Sequence, residues 1–553
     1  MTQPPIAETY DIAVIGSGFA GSLIAMIARR LGRSVVLIER NRHPRIVVGE
    51  SSTPLSNLLL EELATRYRLA EVRPLTKWGT WQHAHPEIPC GLKRGFTFYH
   101  HYLGYPGAAI PSDPEHYRQL LVAASPHDGI ADTHWYRSGF DHFLVQAAER
   151  AGVHYHDEVH LNRFTDCGSH VLLEGASPTP HAARPNSPVS FRVRFVVDAT
   201  GPRGCLHSAL KLGELPLPEM PSTQALFSHF TGAGRLAAAH STGEAPPYPV
   251  DDAAVHHVFP GGWIWVLQFN NGVTSAGVAC TAETAASLGI APSDGDPGSP
   301  TNQARYADAW DRLLARVPAL HRQFARARPL NSAHPFTYIP RLSFRSAQIA
   351  GRNWALLPSA AGFVDPLLST GFPLTLLGIQ RLAAILESGW DSPQLPERLA
   401  EYASQTDADL LAASRLIAAL YASMDNFPVF TSLAMLYFAA VSFAESAHRL
   451  AKPELAASFL LRDHPQFGEA IERLLAQSRA VHTAEDHSRF SEDVREAIDP
   501  INVAGLADPQ RRNWYSVDAN DLLVNAHKLH ATRDEIARLL ERCGFFPETD
   551  SAA

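Results

Sequence analysis

The feature that most constrains this chain is a fixed order of short segments near its start. An apolar run at 12–15 leads into the pattern Gly16-x-Gly18-x-x-Gly21, and a stretch with helical spacing of apolar residues follows. A second apolar run then ends in Glu39. This order predicts strand, tight turn, helix and strand, which is how a parallel, doubly wound sheet begins.

The three glycines of this turn have separate physical uses. Gly16 permits the turn, Gly18 lets backbone approach a pyrophosphate, and Gly21 lets the helix pack closely on the strand. Phosphates then meet the free N–H groups of the helix N-terminus, and Glu39 lies where a carboxylate accepts hydrogen bonds from an adenosine ribose. A glycine turn alone also occurs without a ligand, but the full order predicts a dinucleotide site. Its predicted contacts are Gly16, Gly18, Phe19, Ala20, Gly21, Glu39 and Arg40.

The composition excludes several classes of partner. The 553 residues, 45% of them hydrophobic, can bury a large core. A net charge of −9, from 47 basic and 56 acidic residues, gives no footprint for nucleic acid or an anionic membrane. The five cysteines lack metal-ligand spacing, and Met1–Pro5 lacks the basic and apolar parts of a signal peptide. We therefore expect a cytoplasmic protein with no metal site.

One apolar stretch, 427–443, has a composition that a membrane span would also have. It is short, contains several hydroxyl groups and is followed by Glu445. We expect a buried or substrate-covering helix and no stable membrane insertion.

A second motif, more than three hundred residues after the first, completes the predicted site. The segment 354–366 predicts a strand, a turn of small residues and a helix start. Small residues allow a flat ring such as a flavin isoalloxazine to lie close to backbone. The N–H groups of Ser369, Thr370 and Gly371 can bind a halide or a flavin oxygen at the helix N-terminus. The predicted flavin contacts in this motif are Gly362, Asp365 and Gly371.

The predicted fold class is α/β, with a Rossmann-like FAD-binding domain interleaved with a β-sheet substrate domain. We place this unit at 1–385, with the substrate sheet at about 80–135 and 210–345. A mostly helical C-terminal region, 386–553, would cover the substrate site. Polar, Pro- and Gly-rich stretches predict surface loops at 177–189 and 291–303.

The sequence resembles the flavin-dependent halogenases, a branch of the FAD monooxygenases, over residues from about 8 to 385, and its helical tail is also similar to tails of that family. Five elements in the family's order carry this resemblance: Gly16-x-Gly18-x-x-Gly21, Gly49-Glu50-Ser51-Ser52-Thr53-Pro54, Lys77-Trp78-Gly79, Trp263-x-Trp265, and the run from Phe363 to Gly371.

The resemblance implies a particular chemistry. Reduced FAD and oxygen would form a flavin hydroperoxide, which a bound chloride or bromide attacks to give hypohalous acid. Ser369, Thr370 and Gly371 would hold the halide, and Lys77 would relay the oxidant to an electron-rich indole, phenol or pyrrole. Burial would favour Lys77 in this role, because excluding water lowers the pKa of an ammonium and strengthens its hydrogen bonds. A surface lysine is the alternative.

Five further residues have candidate roles, and most of these roles compete with a structural one. Ser51 is a possible backbone donor to the cofactor, and Arg137 resembles an arginine near the FAD in the monooxygenases, although a helix-capping arginine is the alternative. Trp263 and Trp265 share one face of a predicted strand and would shield a tunnel, and Phe98 would line the substrate pocket. Paired aromatics on a strand are also common in cores.

Departures from the family pattern keep a second function open. Leu267-Gln268 stands where the family continues its tryptophan motif with Ile-Pro, so a flavin hydroxylase or dehydrogenase without halide chemistry is the alternative. Leu368 replaces the catalytic glutamate of the tryptophan-specific halogenases, which argues against free tryptophan as substrate. The sequence has no second glycine fingerprint that could bind a nicotinamide cofactor. A separate flavin reductase is therefore expected to supply FADH2. A carrier protein bearing the substrate and a homodimer are further expected partners.

Overall fold

A computed structural model describes residues 7–103, 113–178, 187–236, 244–292 and 295–546. The predicted surface loops at 177–189 and 291–303 lie partly outside the described residues, and Met1–Pro5 lies wholly outside them.

The described strands belong to two large sheets and two short pairs. In chain order they are β1 (Glu8–Ile15), β2 (Val35–Ile38), β3 (Cys90–Lys93), β4 (Gly95–His100), β5 (Gln119–Ala123), β6 (Asp132–Trp135), β7 (His154–His156), β8 (His160–Asp166), β9 (Val171–Ser177), β10 (Ser187–Asp198), β11 (Thr223–Thr231), β12 (Ala254–Phe259), β13 (Gly262–Gln268), β14 (Val273–Thr281), β15 (Arg328–Pro329), β16 (Thr337–Ile339), β17 (Phe344–Arg345), β18 (Ala350–Gly351), β19 (Trp354–Leu356), β20 (Gly362–Phe363) and β21 (Trp514–Tyr515).

The described α-helices are distributed along the chain from residue 19 to residue 542. In chain order they are α1 (Phe19–Arg30), α2 (Pro54–Arg66), α3 (Trp78–Ala84), α4 (Arg137–Arg150), α5 (Cys205–Ala209), α6 (Ala282–Leu288), α7 (Pro300–Ala315), α8 (Pro318–Gln323), α9 (Pro358–Ala361), α10 (Gly371–Ser388), α11 (Leu395–Ala422), α12 (Phe427–Arg449), α13 (Phe467–Gln477), α14 (Ala484–Ile498), α15 (Ala519–Val524) and α16 (Arg533–Arg542).

The first sheet has the parallel core that the sequence predicts. Its order is β18-β19-β10-β1-β2-β7, and β1 lies between β2 and β10 as a parallel neighbour of both. The strand β2 is buried along its whole length, which is typical of a parallel strand covered on both faces. The predicted α/β fold class with a Rossmann-like domain is confirmed.

The second sheet supplies a wall opposite the first. Its order is β15-β11-β14-β13-β12-β4-β5-β21, so it draws strands from three separated parts of the chain. The strands β13 and β14 form an antiparallel hairpin. The strand β21 lies in the C-terminal region and pairs with β5, so that region contributes to the sheet as well as helices. The division into domains stays a prediction.

The helix α12 contains the stretch that had the composition of a membrane span. Of its most apolar window, 89% is buried inside the protein, against 67% for a second apolar segment, Leu367–Ser388. Burial of this extent is typical of a core helix. The interpretation of 427–443 as a buried helix is confirmed.

The close packing of α1 on β1 gives the first testable prediction. A methyl group at position 21 would lie 1.8 Å from the carbonyl oxygen of Gly16. Since this oxygen belongs to the backbone and cannot move aside easily, we expect Gly21→Ala to lower the free energy of unfolding by about 3 kcal/mol, near the upper end for overpacking. Alanine's better helix propensity, about 1 kcal/mol, opposes this loss without cancelling it. Thermal unfolding followed by circular dichroism measures the change.

Gly295→Ala is the matched control, because a methyl group there meets open space. Its stability should stay within about 0.5 kcal/mol of the parent. Equal melting temperatures for Gly21→Ala and the parent would contradict the packing argument.

Candidate functional site

A cavity of about 1100 Å³ opens at the carboxyl ends of β1 and β2 and extends to the second sheet. Its wall contains every predicted cofactor contact except Gly21, whose part is the helix packing described above. The lining predicted residues are Gly16, Gly18, Phe19, Ala20, Glu39, Arg40, Ser51, Arg137, Gly362, Asp365 and Gly371. One cavity therefore unites two motifs that are far apart in the sequence.

The glycine turn fits a dinucleotide. A Cβ at Gly16 would lie 2.7 Å from the carbonyl oxygen of Ala199, and Gly16 adopts φ +96°, where glycine is favoured. A Cβ at Gly18 would meet only side-chain atoms, the nearest being Arg137 Nη2 at 3.4 Å. The helix α1 starts at Phe19 with no acidic residue in its first turn, so its N-terminus is suited to phosphate.

Glu39 is held in place as an ionised acceptor at the end of β2. Its Oε2 accepts hydrogen bonds from the N–H of Ser17 at 3.0 Å and from Arg45 at 3.3 Å, and its Oε1 accepts from the N–H of Asn41 at 2.9 Å. Burial alone would raise the pKa of Glu39, but Arg45 and these N–H groups hold that pKa below its ordinary value. A carboxylate has capacity for a further donor, such as a ribose hydroxyl.

Arg137 is both ion-paired and part of the cavity wall. It binds Asp141 through two hydrogen bonds of 2.7 and 2.8 Å, and its Nη1 donates to the carbonyl of Gly49 at 2.9 Å. Its guanidinium lies 5.1 Å from the ring centre of Phe19. These contacts fix the arginine beside the glycine turn, where it can face a phosphate.

The predicted halide turn is strained and is held from outside. Leu368 and Ser369 have φ of 61° and 56°, a region that side chains rarely adopt. The hydroxyl of Tyr437 on α12 donates to the carbonyl of Leu368 at 2.9 Å. The N–H of Ser369 donates to the carbonyl of Pro366, which leaves the N–H groups of Thr370 and Gly371 at the start of α10 as the anion-binding part. All three predicted halide residues line the cavity.

Asp365 joins this turn to the second sheet. Its Oδ1 accepts from the indole N–H of Trp263 at 3.2 Å and from the N–H of Leu367 at 3.0 Å, and its Oδ2 accepts from the hydroxyl of Tyr421 at 2.9 Å. Burial raises the pKa of Asp365 to about 7, with these donors partly opposing the shift. The carboxyl group therefore orients one wall of the cavity.

The predicted tunnel aromatics divide into two sets. Trp263 and Trp265 line the cavity, with ring centres 5.8 Å apart. Phe98 is fully buried and stacks on His256 at 4.4 Å, and His256 in turn lines the cavity. Phe98 thus supports the wall from behind and does not itself line this cavity.

Lys77 does not line the large cavity. It precedes α3 and lies at a second cavity of about 190 Å³, bounded by α2, β5, α12 and residues from 503 to 545. Lys77 is half-buried. Its role as relay lysine stays a prediction, and the structure brings it together with the C-terminal region and not with the halide turn.

Lys93 is a buried lysine that the sequence reasoning missed. Its Nζ donates to Ser51 Oγ at 2.9 Å and to the carbonyl of Ser52, and it lies 3.8 Å from the ring centre of Phe96. Ser51 lines the large cavity. Burial lowers the pKa of Lys93, and the carboxylate of Asp132 partly opposes this. No local pattern marks this lysine, because it ends β3 and is followed by a second basic residue, Arg94.

Comparison with known proteins agrees with this geometry. Residues 11–344 match the family model for FAD dependent oxidoreductases. Monodechloroaminopyrrolnitrin halogenase PrnC of Pseudomonas fluorescens is 28% identical over 404 residues, which is 73% of this chain and 66% of that enzyme, slightly under two thirds of its length. Tetracycline 7-halogenase of Kitasatospora aureofaciens is 25% identical across 96% of this chain and 92% of that enzyme.

Solved structures share the fold. Halogenase PltM, in complex with phloroglucinol and FAD, superposes with a TM-score of 0.76 at 23% identity, covering 91% of this chain and 99% of that one. The resemblance to the flavin-dependent halogenases is confirmed by these relatives. Because the family model matches residues 11–344, which is more than half of this chain, the chain belongs to the FAD dependent oxidoreductase family.

Proposed function

We propose that this protein is a flavin-dependent halogenase that uses O2 and chloride or bromide to halogenate an electron-rich aromatic of the indole, phenol or pyrrole type. The observation that carries the proposal is the turn from Pro366 to Gly371, which opens a helix N-terminus into the cavity that the dinucleotide fingerprint also lines. A site for a small anion beside a flavin site is what halide oxidation requires.

FAD would be held by the glycine turn and Glu39 at one end of the cavity and by Gly362 and Asp365 at the other. When bound in reduced form, it supplies the two electrons with which O2 becomes an oxidant for halide. The chain's own contribution is to bind the cofactor, to hold the halide and to exclude water.

Thr370 and Gly371 are the halide donors in this proposal. Two N–H groups and the positive end of the α10 dipole favour a bound anion. Asp365 also lies in this wall, but burial raises its pKa to about 7, so a larger fraction of the carboxyl group is neutral than in water. Repulsion of a halide by Asp365 is therefore reduced.

Two lysines are candidates for relaying the oxidant. Hypohalous acid formed near Thr370 reaches Ser51 within the same cavity, and Ser51 is in contact with Lys93. A lysine whose pKa is lowered by burial has a larger neutral fraction and can form a haloamine, or it can donate a hydrogen bond to the acid. Lys77, which lies at the second cavity, is the candidate from sequence.

A separate flavin reductase, cytoplasmic location and a homodimer complete the proposal as expected properties. Two relatives are named as acting on 1H-pyrrole-2-carbonyl-[peptidyl-carrier protein], which supports a carrier-bound substrate as one form of the acceptor. The alternative of a hydroxylase or dehydrogenase is supported by Leu267-Gln268, where Leu267 lines the cavity.

The first test of this proposal is halide dependence. Purified protein, FAD, a flavin reductase and bromide are incubated with a panel of indoles, phenols and pyrroles, and products are measured by mass spectrometry. We expect a bromine isotope doublet that requires bromide. Lys93→Met should lower its yield by 100-fold or more, at the scale of lost general acid–base catalysis of about 10²–10⁴, while FAD absorbance is kept.

Lys77→Met is the matched comparison, because it removes the same charge at the second cavity. A loss of brominated product in Lys77→Met but not in Lys93→Met would assign the relay to Lys77, as the sequence predicts. Oxygenated or desaturated products formed equally well without bromide would contradict halogenation and favour the alternative enzyme class.

A second test concerns the support of the halide turn. Tyr437→Phe removes the donor to the Leu368 carbonyl, so the left-handed turn loses a buried hydrogen bond worth about 1–3 kcal/mol. We expect the KM for bromide to rise about tenfold, which corresponds to about 1.4 kcal/mol, while FAD affinity changes little. Steady-state bromination over a range of bromide concentrations measures this.

Tyr402→Phe is the control for Tyr437→Phe. The hydroxyl of Tyr402 is also fully buried and donates to a backbone carbonyl, that of Leu356, at 2.7 Å. Its loss should cost similar stability without changing the KM for bromide. Equal KM values in the two variants would contradict a specific effect on the halide turn.

A further inference from the structure

The two ring nitrogens of His256 have different surroundings. His256 lies on β12 and is 3% exposed. Its Nδ1 is 3.2 Å from the carbonyl oxygen of Thr97, and among the described residues this is the ring's one hydrogen bond. Because a carbonyl oxygen only accepts, Nδ1 must carry the proton, and in the neutral ring Nε2 then presents a lone pair.

Burial keeps the imidazole of His256 neutral. The ring stacks on Phe98 with ring centres 4.4 Å apart, and the ring centre of Trp263 lies 5.2 Å away. Burial lowers the pKa of His256 to about 3, and the Thr97 carbonyl opposes this shift only in part. At neutral pH, Nε2 is therefore a hydrogen-bond acceptor.

The free nitrogen of His256 faces the large cavity. Among the described polar atoms, those that are both enclosed and unpaired include Nε2 of the neighbouring His257 but not Nε2 of His256. Nε2 of His256 therefore keeps accessible surface, and His256 is one of the residues that line the large cavity. His257 lies on the opposite face of the sheet, where it stacks on Tyr99.

The contacts of His256 place it one aromatic ring away from the halide turn. The indole N–H of Trp263 donates to Asp365 at 3.2 Å, and Asp365 directly precedes the turn from Pro366 to Gly371. Trp263, His256 and Thr370 all line the same cavity. A small molecule that leaves Thr370 along the wall formed by the second sheet therefore meets Trp263 and then His256.

The lone pair of Nε2 suits the product of halide oxidation and not the halide itself. A halide is an anion without a donor, so a lone pair repels it, and the largely apolar side chains of Ala254, Trp263 and Trp265 nearby give it no substitute for water. Hypohalous acid is neutral and has one O–H group to donate. His256 therefore offers the oxidant a contact that the halide cannot use.

We propose that Nε2 of His256 accepts a hydrogen bond from hypohalous acid and holds this oxidant in the cavity wall on its way from the halide turn to the aromatic acceptor. This inference rests on the proposed halogenase function. No covalent bond forms or breaks at His256. The halide stays on the N–H groups of Thr370 and Gly371, and only its oxidised product moves on.

The experiment measures how much oxidant escapes from the protein. The holoenzyme with FAD, a flavin reductase and bromide is given the panel compound with the highest bromide-dependent yield. Free methionine traps escaped hypobromous acid as the sulfoxide, and catalase removes peroxide. Mass spectrometry measures the brominated product and the sulfoxide in the same reaction.

His256→Phe keeps an aromatic ring in the stack and removes the acceptor. We expect it to lower the ratio of brominated product to sulfoxide at least tenfold, while the sum of the two products stays close to that of the parent. Tenfold corresponds to about 1.4 kcal/mol, which is the scale of one hydrogen bond. The KM for bromide and the affinity for FAD, measured by flavin fluorescence, should not change.

Two further variants make the result specific. His257→Phe is the same substitution in the next residue, which is 1% exposed and lies on the other face of the sheet, and it should leave the ratio unchanged. His256→Gln loses the aromatic ring but keeps an acceptor oxygen at a similar reach, so its ratio should lie within about threefold of the parent. A merely structural role of the ring would give the reverse order, with His256→Gln the more damaging change. Circular dichroism establishes that each variant is folded.

Each contrary outcome has its own meaning. A parent-like ratio in His256→Phe would overturn the role of His256 and leave the halogenase function standing. An equal loss in His257→Phe or in His256→Gln would also overturn it, because packing of the sheet would then explain the effect. Weaker FAD binding in His256→Phe would assign Nε2 to the cofactor instead. If the parent gives no bromide-dependent product with any panel compound, the proposed function itself fails.

Discussion

Two buried tyrosine hydroxyls connect the last third of the chain to the cofactor cavity, and the arrangement of the site depends on them. Tyr437 donates to the backbone of the strained turn at Leu368, and Tyr421 donates to Asp365. In the protein interior, a carbonyl or carboxylate oxygen left without a hydrogen bond costs more free energy than a typical hydrogen bond contributes to stability. The helices α11 and α12 must therefore dock for the turn to keep its shape. The wall of the cofactor cavity, the halide turn and the C-terminal region therefore form one cooperative unit.

The first half of the site was predictable because it is local. In the turn from Gly16 to Gly21, backbone geometry and helix packing operate within a few residues, so the sequence pattern already contains the reason for each glycine. That Gly362, Asp365 and Gly371 of the second motif line the same cavity was predictable for the same reason. The tyrosines that hold that motif lie 56 and 69 residues from their partners, and no local pattern marks them. Long-range docking was therefore missed.

Lys77 and Lys93 show where prediction from sequence motifs fails. Lys77 was favoured because of the neighbouring Trp78-Gly79, but burial is a tertiary property, and the structure places Lys77 at the second cavity. Lys93 is fully buried because β3 pairs with β6 and because Ser51, Ser52 and Phe96 converge on its ammonium. These contacts come from two separated segments. The sequence alone could not weigh the two lysines against each other.

Burying Lys93 opposite Asp132 costs free energy. Desolvation disfavours the charged form of each group, and one carboxylate oxygen remains without a partner. Arg137 and Asp141, by contrast, pair through two hydrogen bonds beside the cofactor cavity, so both of these buried charges have a partner. The two pairs therefore differ electrostatically. The hydrogen-bonded pair fixes the geometry of the cavity wall, whereas burial lowers the pKa of Lys93 and raises that of Asp132, which brings the proton affinities of those two groups closer together.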